Sequence, residues 1–262
     1  MMALRDNGPL LEVEGLTQKY GHQIGCEDVD FSLYPGEVLG IVGESGSGKS
    51  TLLRCASGLM QPTAGSVRFD TRVDGLQEIY ALSEAERRML MRTDWGIIFQ
   101  NARDGLRMNV SAGANVGERL MAVGERHYGS IRETSSEWLE KVEMDLGRMD
   151  DLPRTFSGGM QQRLQIARNL VTKPRLVFMD EPTSGLDVSV QARLLDLVRG
   201  LVRQLGIACI IVTHDLGVVR LLSDRLMVMR RGRVVEQGLT DQVLDDPQHA
   251  YTQLLVSSIL PV

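Results

Sequence analysis

The stretch Val38-Leu-Gly-Ile-Val-Gly-Glu-Ser-Gly-Ser-Gly-Lys-Ser50 decides the fold of this chain. It opens with a continuous apolar run, passes through a glycine-rich loop and continues into the helical stretch 49–57. This order of strand, loop and helix fits the pattern G-x-x-x-x-G-K-[ST], in which backbone N–H groups and the start of a helix bind phosphate. The loop therefore predicts a nucleotide-phosphate site, and the alternative is a chance glycine-rich turn.

The residue types in this loop suit ATP and Mg²⁺. Glycines let the backbone approach phosphate closely, and the dipole of a helix that starts near Lys49 favours negative charge. We expect Lys49 to bridge the β- and γ-phosphates, Ser50 to bind Mg²⁺ through its hydroxyl, and Thr51 to contact the α-phosphate. The predicted ATP-binding residues of the loop are Gly43, Glu44, Ser45, Gly46, Ser47, Gly48, Lys49, Ser50 and Thr51.

A second apolar strand, residues 176–179, ends in the two carboxylates Asp180 and Glu181. A carboxylate in this position is expected to hold Mg²⁺, and the side chain of the following residue faces the other way. We therefore predict Asp180 as a metal ligand. Glu181 is predicted as the general base for the attacking water, which is worth roughly 10²–10⁴ in rate. Without the phosphate loop, a solvated acidic turn before Pro182 would be the default interpretation.

Composition excludes several classes of protein. The 262 residues are 43% apolar and 24% charged, which is typical of a compact folded chain. The net charge of −5 argues against nonspecific nucleic-acid binding, because that needs a surplus of basic residues. Cys26, Cys55 and Cys209 are far apart and form no C-x-x-C pair, so we expect buried thiols rather than a disulfide or metal site.

Nothing in the sequence predicts a membrane segment or a secretory signal. Residues 1–13 lack the apolar region of a signal peptide. The longest apolar runs are far shorter than the roughly 20 residues that cross a bilayer. We therefore expect a cytoplasmic protein that contacts a membrane only through a partner.

The order of predicted elements indicates an α/β fold. Residues 10–16 and 29–33 alternate apolar and polar side chains, as in half-buried antiparallel strands, and 65–70 resembles another strand. A helix with a capping box follows Ser83, and residues 111–170 are mostly helical, with predicted helices at 112–123, 131–142 and 159–170. Afterwards strands at 176–179 and 208–212 alternate with helices at 188–205 and 216–222, which predicts a parallel sheet covered on both faces.

A third segment lies between the loop and the acidic strand. Phe156-Ser-Gly-Gly-Met-Gln-Gln-Arg163 resembles the LSGGQ signature of the ATP-binding cassette family, with Phe and Met substituted. The other family elements stand in the expected order: Tyr20 as the aromatic that stacks on adenine, Gln100 as the Q-loop, Ser184-Gly-Leu-Asp187 as the D-loop, and His214 as the switch. The resemblance covers nearly the whole chain.

The resemblance implies a particular version of the α/β fold. It is a P-loop NTPase nucleotide-binding domain with a RecA-like parallel sheet core, an antiparallel β subdomain and an inserted α-helical subdomain. One cassette is expected over residues 1–262. Residues of about 1–80 and 172–262 would form the β and RecA-like core, and about 81–171 the Q-loop and helical subdomain.

The resemblance also implies how the site residues work. Ser157, with Gly158 and Gly159, is expected to cap the γ-phosphate held by the opposite subunit, so two cassettes, identical or paralogous, are needed. Gln100 is expected to contact Mg²⁺ and the attacking water, and His214 to sense the γ-phosphate. Asp187 is expected to belong to the same nucleotide site.

Outside these motifs, the sequence resembles the cassette subunits of bacterial carbon-phosphorus lyase systems for phosphonate breakdown. The segments that carry this resemblance are 95–96, 104–107, 110–113, 115–121, 126–129 and 161–171. It implies that the partner is the soluble lyase core complex, with the carbon-phosphorus chemistry in that partner.

Three other functions are compatible with parts of the sequence pattern. Residues 246–255 also resemble the C-terminal segment of peptide or nickel importers, whose partner would be a membrane permease. A cassette ATPase acting on ribosomes or DNA is opposed by the acidic balance and by the single cassette. A degenerate cassette that binds ATP without hydrolysing it is opposed by the presence of Lys49, Asp180, Glu181 and His214.

Overall fold

The computed structural model describes residues 8–258, so the first seven residues of the segment searched for a secretory signal lie outside the described residues. Contacts divide the chain into two compact units, which break at 87/88 and at 207/208. The first unit comprises the residues up to 87 and those from 208 onward, and the second unit comprises residues 88–207. Within 8–258, no helix is both long and apolar enough to span a membrane.

The described residues form ten strands and ten α-helices. The strands are β1 Leu11–Tyr20, β2 Gln23–Leu33, β3 Val38–Val42, β4 Ala64–Thr71, β5 Gly75–Glu78, β6 Trp95–Ile98, β7 Leu176–Asp180, β8 Ala208–Thr213, β9 Arg225–Arg230 and β10 Arg233–Leu239. The helices are α1 Lys49–Ala56, α2 Glu84–Thr93, α3 Ala102–Gly105, α4 Ala112–Ala122, α5 Tyr128–Lys141, α6 Gly158–Leu170, α7 Val188–Leu205, α8 Leu216–Leu222, α9 Thr240–Asp245 and α10 Ala250–Ser257.

The first unit contains an antiparallel sheet and a mainly parallel one. The antiparallel sheet has the strand order β2-β1-β4-β5. In the other, β3 is parallel to both β8 and β9, while β10 returns antiparallel to β9. All residues of β3 and β8 are buried, as expected for a strand covered on both faces. The predicted parallel core and antiparallel layer are confirmed.

The core of the first unit continues behind β3. Val42 packs in one buried cluster with Val219 of α8, Val228 of β9 and Leu244 of α9. Tyr251 of α10 belongs to the same cluster. The C-terminal helices are therefore part of the layer that supports the start of the glycine-rich loop.

The second unit contains the parallel pair β6 and β7 together with a block of helices. Trp95 of β6 and Phe178 of β7 are both fully buried and meet edge to face, with ring centroids 5.4 Å apart. The predicted helices of this block are present. The helix expected at 131–142 begins three residues earlier, at Tyr128, because the His127 ring accepts a hydrogen bond from the Ser130 N–H and caps it.

Several elements escaped the sequence analysis. The missed elements are β5, β6, β9, β10, α3, α9 and α10. β6 has four residues and α3 has four, which is too short for a periodic pattern to be read. The capping box predicted at Ser83 is present, because the Glu86 carboxylate accepts from the Ser83 N–H at 2.8 Å and the Ser83 hydroxyl accepts from the Glu86 N–H at 3.3 Å.

Candidate active site

The glycine-rich loop connects β3 to α1 in the first unit. Gly48 occupies the N-cap position of α1 with φ of +105°, and no side chain caps the helix there. A helix start whose N-cap residue has no side chain leaves room for phosphate at that end of the helix. The predicted phosphate loop is thus formed by strand, loop and helix in the expected order.

Two glycines of this loop are required by packing as well as by backbone angle. A Cβ at Gly48 would lie 2.1 Å from the Gly25 carbonyl oxygen, and one at Gly43 would lie 2.2 Å from the Met229 carbonyl oxygen. Both contacts are to backbone, which cannot move aside as a side chain could. The loop therefore rests directly on the neighbouring strands β2 and β9.

Lys49 holds the loop in shape from inside. Its side chain is 5% exposed, and its ammonium group donates to the carbonyl oxygens of Gly43 at 2.8 Å and Glu44 at 2.9 Å. The hydroxyl of Tyr251 in α10 accepts a hydrogen bond from the Glu44 N–H at 3.0 Å. The guanidinium of Arg230 lies over the Tyr251 ring, 4.8 Å from its centroid. The C-terminal helix is thereby tied to the phosphate loop.

The other predicted residues of the first unit lie next to the loop. β3 and β8 are parallel and in register from Val38 to Val42, with Val42 opposite Thr213. Gly43 and His214, the next residue of each chain segment, therefore lie at the same edge of the sheet, and His214 is exposed there. Tyr20 is 45% exposed at the end of β1, and a Cβ at Gly25 would touch both Tyr20 and Thr51, each at 2.8 Å. An exposed aromatic ring thus lies near the start of α1.

The second unit brings together the Q-loop, here residues 99–105, and the acidic strand, which is β7 with the Glu181 that follows it. β6 and β7 are in parallel register, with Ile98 opposite Met179, so Gln100 and Glu181 follow at one edge. The amide nitrogen of Gln100 donates to a Glu181 carboxylate oxygen at 3.3 Å and to the Ser184 hydroxyl at 3.1 Å. Glu181 has φ of +42°, which is uncommon for a residue with a side chain. Asp180 is the last residue of β7.

The signature segment forms the start of α6. Ser157 is the N-cap residue, and its hydroxyl accepts from the Met160 N–H at 3.3 Å. Gly159 must be glycine, because a Cβ there would lie 2.6 Å from the Val190 side chain of α7. A Cβ at Gly158 would lie 3.5 Å from Leu186, an ordinary contact. Ser157 is exposed, so its hydroxyl can reach a ligand outside the unit.

Asp187 has a structural task in this chain. It is the N-cap of α7, and its carboxylate accepts from the Val190 N–H at 3.0 Å and the Ser189 hydroxyl at 2.8 Å. Both hydrogen bonds lower the pKa of the Asp187 carboxyl, and the bond from Val190 has the larger effect. The residue predicted for the nucleotide site is therefore also the residue that starts a long helix.

The two departures from the signature contact one side chain. The Arg148 guanidinium lies over the Phe156 ring, 4.7 Å from its centroid, and one of its nitrogens is 3.7 Å from the Met160 sulfur. The same guanidinium is paired with Asp151 at 2.7 Å. Phe156 and Met160, which stand where the family signature has other residues, thus both contact Arg148. Sequence spacing does not predict this contact.

A cavity of about 330 Å³ opens beside these groups within the second unit. Gln100, Gly158, Gln161, Ser184 and Leu186 are among the residues that line it. Sequence reasoning missed Ser184 as a contact of Gln100, and it missed Tyr251 and Arg148. Ser184 and Tyr251 lie far along the chain from Gln100 and Glu44. Arg148 is nearer to Phe156 along the chain, but the two residues share no helix or strand whose period would relate them.

Comparisons with known proteins agree with this geometry. The family model described as "ABC transporter" matches residues 26–184, more than half of the chain. The Escherichia coli (strain K12) protein named for phosphonates utilization, ATP-binding protein PhnK, is 65% identical over 254 residues, covering 97% of this chain and 99% of that one. The dipeptide transport ATP-binding protein DppF of Haemophilus influenzae is 36% identical over 265 residues, covering 97% of this chain and 79% of that one.

A solved structure shares the architecture. The ATP-binding cassette MJ0796, solved as a dimer in a post-hydrolysis state with ADP and Pi, superposes with a TM-score of 0.78 at 28% identity, covering 88% of this chain and 98% of that one. That dimer binds the products of ATP hydrolysis. The phosphate loop, the acidic strand and the signature helix of this chain fit the same chemistry. The chain therefore belongs to the ABC transporter family and is an ATP-binding cassette that hydrolyses ATP.

Proposed function

We propose that this cassette works in a pair in the cytoplasm and drives the soluble carbon-phosphorus lyase core complex in phosphonate catabolism. One observation supports this proposal most: identity is 65% to a protein named for phosphonates utilization and 36% to a dipeptide transport protein, and each comparison covers 97% of the chain. A difference of this size extends beyond the shared nucleotide motifs. ATP turnover would then remodel or gate the partner enzyme.

In this proposal the first unit binds the nucleotide. The nine loop residues 43–51 surround the phosphates, Lys49 turns its ammonium group from loop carbonyls to the β- and γ-phosphates, and Tyr20 stacks on adenine. The fixed helix start and the rigid loop backbone support this role. His214, beside Gly43 at the sheet edge, contacts the γ-phosphate.

Mg²⁺ suits the donor atoms that the motifs supply. Ser50 offers a hydroxyl oxygen, Asp180 a carboxylate and Gln100 an amide oxygen, and Mg²⁺ prefers oxygen ligands, usually one or two carboxylates plus substrate phosphates. When bound, the ion would supply positive charge to the phosphate oxygens.

Glu181 is proposed as the general base. A water oxygen attacks the γ-phosphorus, the bond from that phosphorus to the β,γ-bridging oxygen breaks, and the carboxylate accepts the proton released by the water. ADP and inorganic phosphate leave. Gln100, which already donates to the Glu181 carboxylate, orients that group and the water.

Ser157, Gly158 and Gly159 are proposed to act on the nucleotide of the opposite cassette. Mixing a Ser157→Arg variant with a Lys49→Ala variant tests this arrangement, because one intact composite site can form only in the mixed pair. We expect partial recovery of ATP turnover at intermediate ratios. Absence of recovery at every ratio would contradict shared sites.

The partner is tested by purifying a tagged Glu181→Gln variant with ATP from its native cells, with cytosol and solubilised membranes handled separately. Co-purification of soluble phosphonate-metabolism enzymes is the expected result. Recovery of hydrophobic permease subunits instead would favour the second candidate, a peptide or nickel importer, which the 36% identity to a dipeptide transport protein keeps open. A wild-type bait without ATP serves as the control for nonspecific capture.

A further inference from the structure

Side-chain amides of α6 complete one edge of β6. The Asn169 amide oxygen accepts from the Ile97 N–H at 3.0 Å. Two residues further, the Gln165 amide accepts from the Phe99 N–H at 2.7 Å and donates to the Phe99 carbonyl at 3.1 Å. Alternate backbone groups of a strand point to the same side, so these amides occupy the edge that a neighbouring strand would otherwise fill.

The amide of Gln165 is buried and engaged on both atoms. The residue has no exposed surface, and its nitrogen also donates to the Gln162 amide oxygen at 3.2 Å. Gln162 in turn donates to the Phe99 carbonyl at 3.3 Å. A buried polar network whose members are all satisfied holds one geometry rigidly.

Gln165 also supports the far end of the Q-loop. A Cβ at Gly105, the last residue of α3, would lie 2.3 Å from the Gln165 amide oxygen. The same side chain therefore contacts residue 99 on one side of Gln100 and residue 105 on the other. The helix that carries it is the one that begins at the signature residue Ser157.

We propose that Gln165 is a positioning residue for ATP hydrolysis. It fixes the backbone of the Q-loop so that the Gln100 amide reaches the Glu181 carboxylate, and it links that geometry to the helix of the signature motif. A shift of the start of α6 is thereby transmitted to Gln100. This inference rests on the proposed role of Gln100 in hydrolysis.

Asn169 supplies a matched control. It caps the same strand edge with the same kind of side chain, from the same helix, but two residues before Phe99. If the amides serve only to stabilise the edge of β6, then replacing either one should have the same consequences. If Gln165 positions Gln100, turnover should depend on Gln165 far more than on Asn169.

The experiment compares Gln165→Met with Asn169→Leu, two near-isosteric changes, in the cassette assembly in which the wild-type chain hydrolyses ATP. We expect similar decreases in unfolding midpoint for both. Only Gln165→Met should lower kcat, by about tenfold with little change in KM for ATP, since displacements of about 1 Å can lower rates 10²-fold. In a Gln100→Ala background, Gln165→Met should cause no further loss, because the two changes act through one group.

Gly105→Ala provides a second variant in case Gln165→Met folds poorly. The new methyl group displaces the Gln165 amide without altering it, and we expect the same decrease in kcat. Equal kcat losses for Gln165→Met and Asn169→Leu, or additive losses with Gln100→Ala, would overturn the positioning role. Wild-type turnover of Gln100→Ala would instead remove the proposed role of Gln100, and this inference with it.

Discussion

The phosphate loop of the first unit and the Q-loop region of the second unit are held by different means. The loop is fixed by backbone: Gly43 and Gly48 lie against carbonyl oxygens, and Lys49 binds two more. The Q-loop region is fixed by side chains, since Gln100 bonds to Glu181 and Ser184, and Gln165 bonds to both backbone groups of Phe99.

We infer that this difference separates residues that bind ATP from residues that act in its hydrolysis. A loop fixed by backbone keeps its shape whatever the neighbouring side chains do, as a site for the constant phosphate groups requires. A region fixed by side-chain amides takes its position from the element that carries those amides, which for Phe99 is α6. We therefore expect changes in the first unit to affect ATP affinity and changes in the second unit to affect turnover.

The largest expected effect is on turnover and comes from the second unit. Glu181→Gln removes the proton acceptor but keeps the shape of the side chain, so kcat should fall by roughly 10²–10⁴. ATP binding should be retained, and a closed pair of cassettes should accumulate on a sizing column. Wild-type turnover in this variant would show that Glu181 is not the base.

The next effect separates the two tasks of Ser157. Asp is as good an N-cap as Ser, so Ser157→Asp should keep the unfolding midpoint, whereas its charge should repel the γ-phosphate of the opposite cassette. Turnover should fall by about 10², because placing like charges together costs several kcal/mol. Ser157→Asn, a neutral cap of similar shape, is the control and should lose less. An equal loss in both variants would show that charge is not the cause.

The third effect belongs to the first unit. Gly48→Ala must place a methyl group 2.1 Å from the Gly25 carbonyl oxygen at a φ of +105°. Strain of about 1–3 kcal/mol should weaken ATP binding by about 5–150-fold, measured with a fluorescent ATP analogue. Gly75→Ala is the control, because Gly75, the first residue of β5, has φ of +70° but open space around it. ATP affinity equal in the two variants would contradict the packing argument.

The smallest effect concerns the C-terminal helix. Tyr251→Phe leaves the Glu44 N–H without its acceptor, and the loss of one hydrogen bond, about 1 kcal/mol, should weaken ATP binding about fivefold without changing kcat. Tyr80→Phe also removes a tyrosine hydroxyl, in this case one that bonds to the Cys55 and Met60 carbonyl groups. It serves as the control for general destabilisation. A decrease in kcat for Tyr251→Phe at saturating ATP would mean that Tyr251 supports more than the binding loop.

The sequence predicted the first unit's binding loop more completely than the second unit's network. Glycine spacing, an apolar strand and a following helix are local features, so the strand, loop and helix around residues 43–51 could be predicted, and a phosphate site proposed there, without a structure. Gln100 could be assigned only through its order among the family motifs, because a single glutamine has no spacing signal of its own. The short elements around it, β6 and α3, carry no period that a pattern could detect.

The sequence by itself determined the α/β class, the parallel core, the glycine-rich loop between strand and helix, and the two carboxylates at the end of β7, since each depends on residues that are close along the chain. Tertiary structure decided which side chains from other segments contact the loop, the Q-loop and the signature segment. It brought Tyr251 to Glu44, Arg148 to Phe156 and Met160, and Gln165 to Phe99 and Gly105. Local patterns encode backbone conformation and burial, whereas contacts between distant residues depend on how whole elements pack, and that packing appears only when the chain has folded.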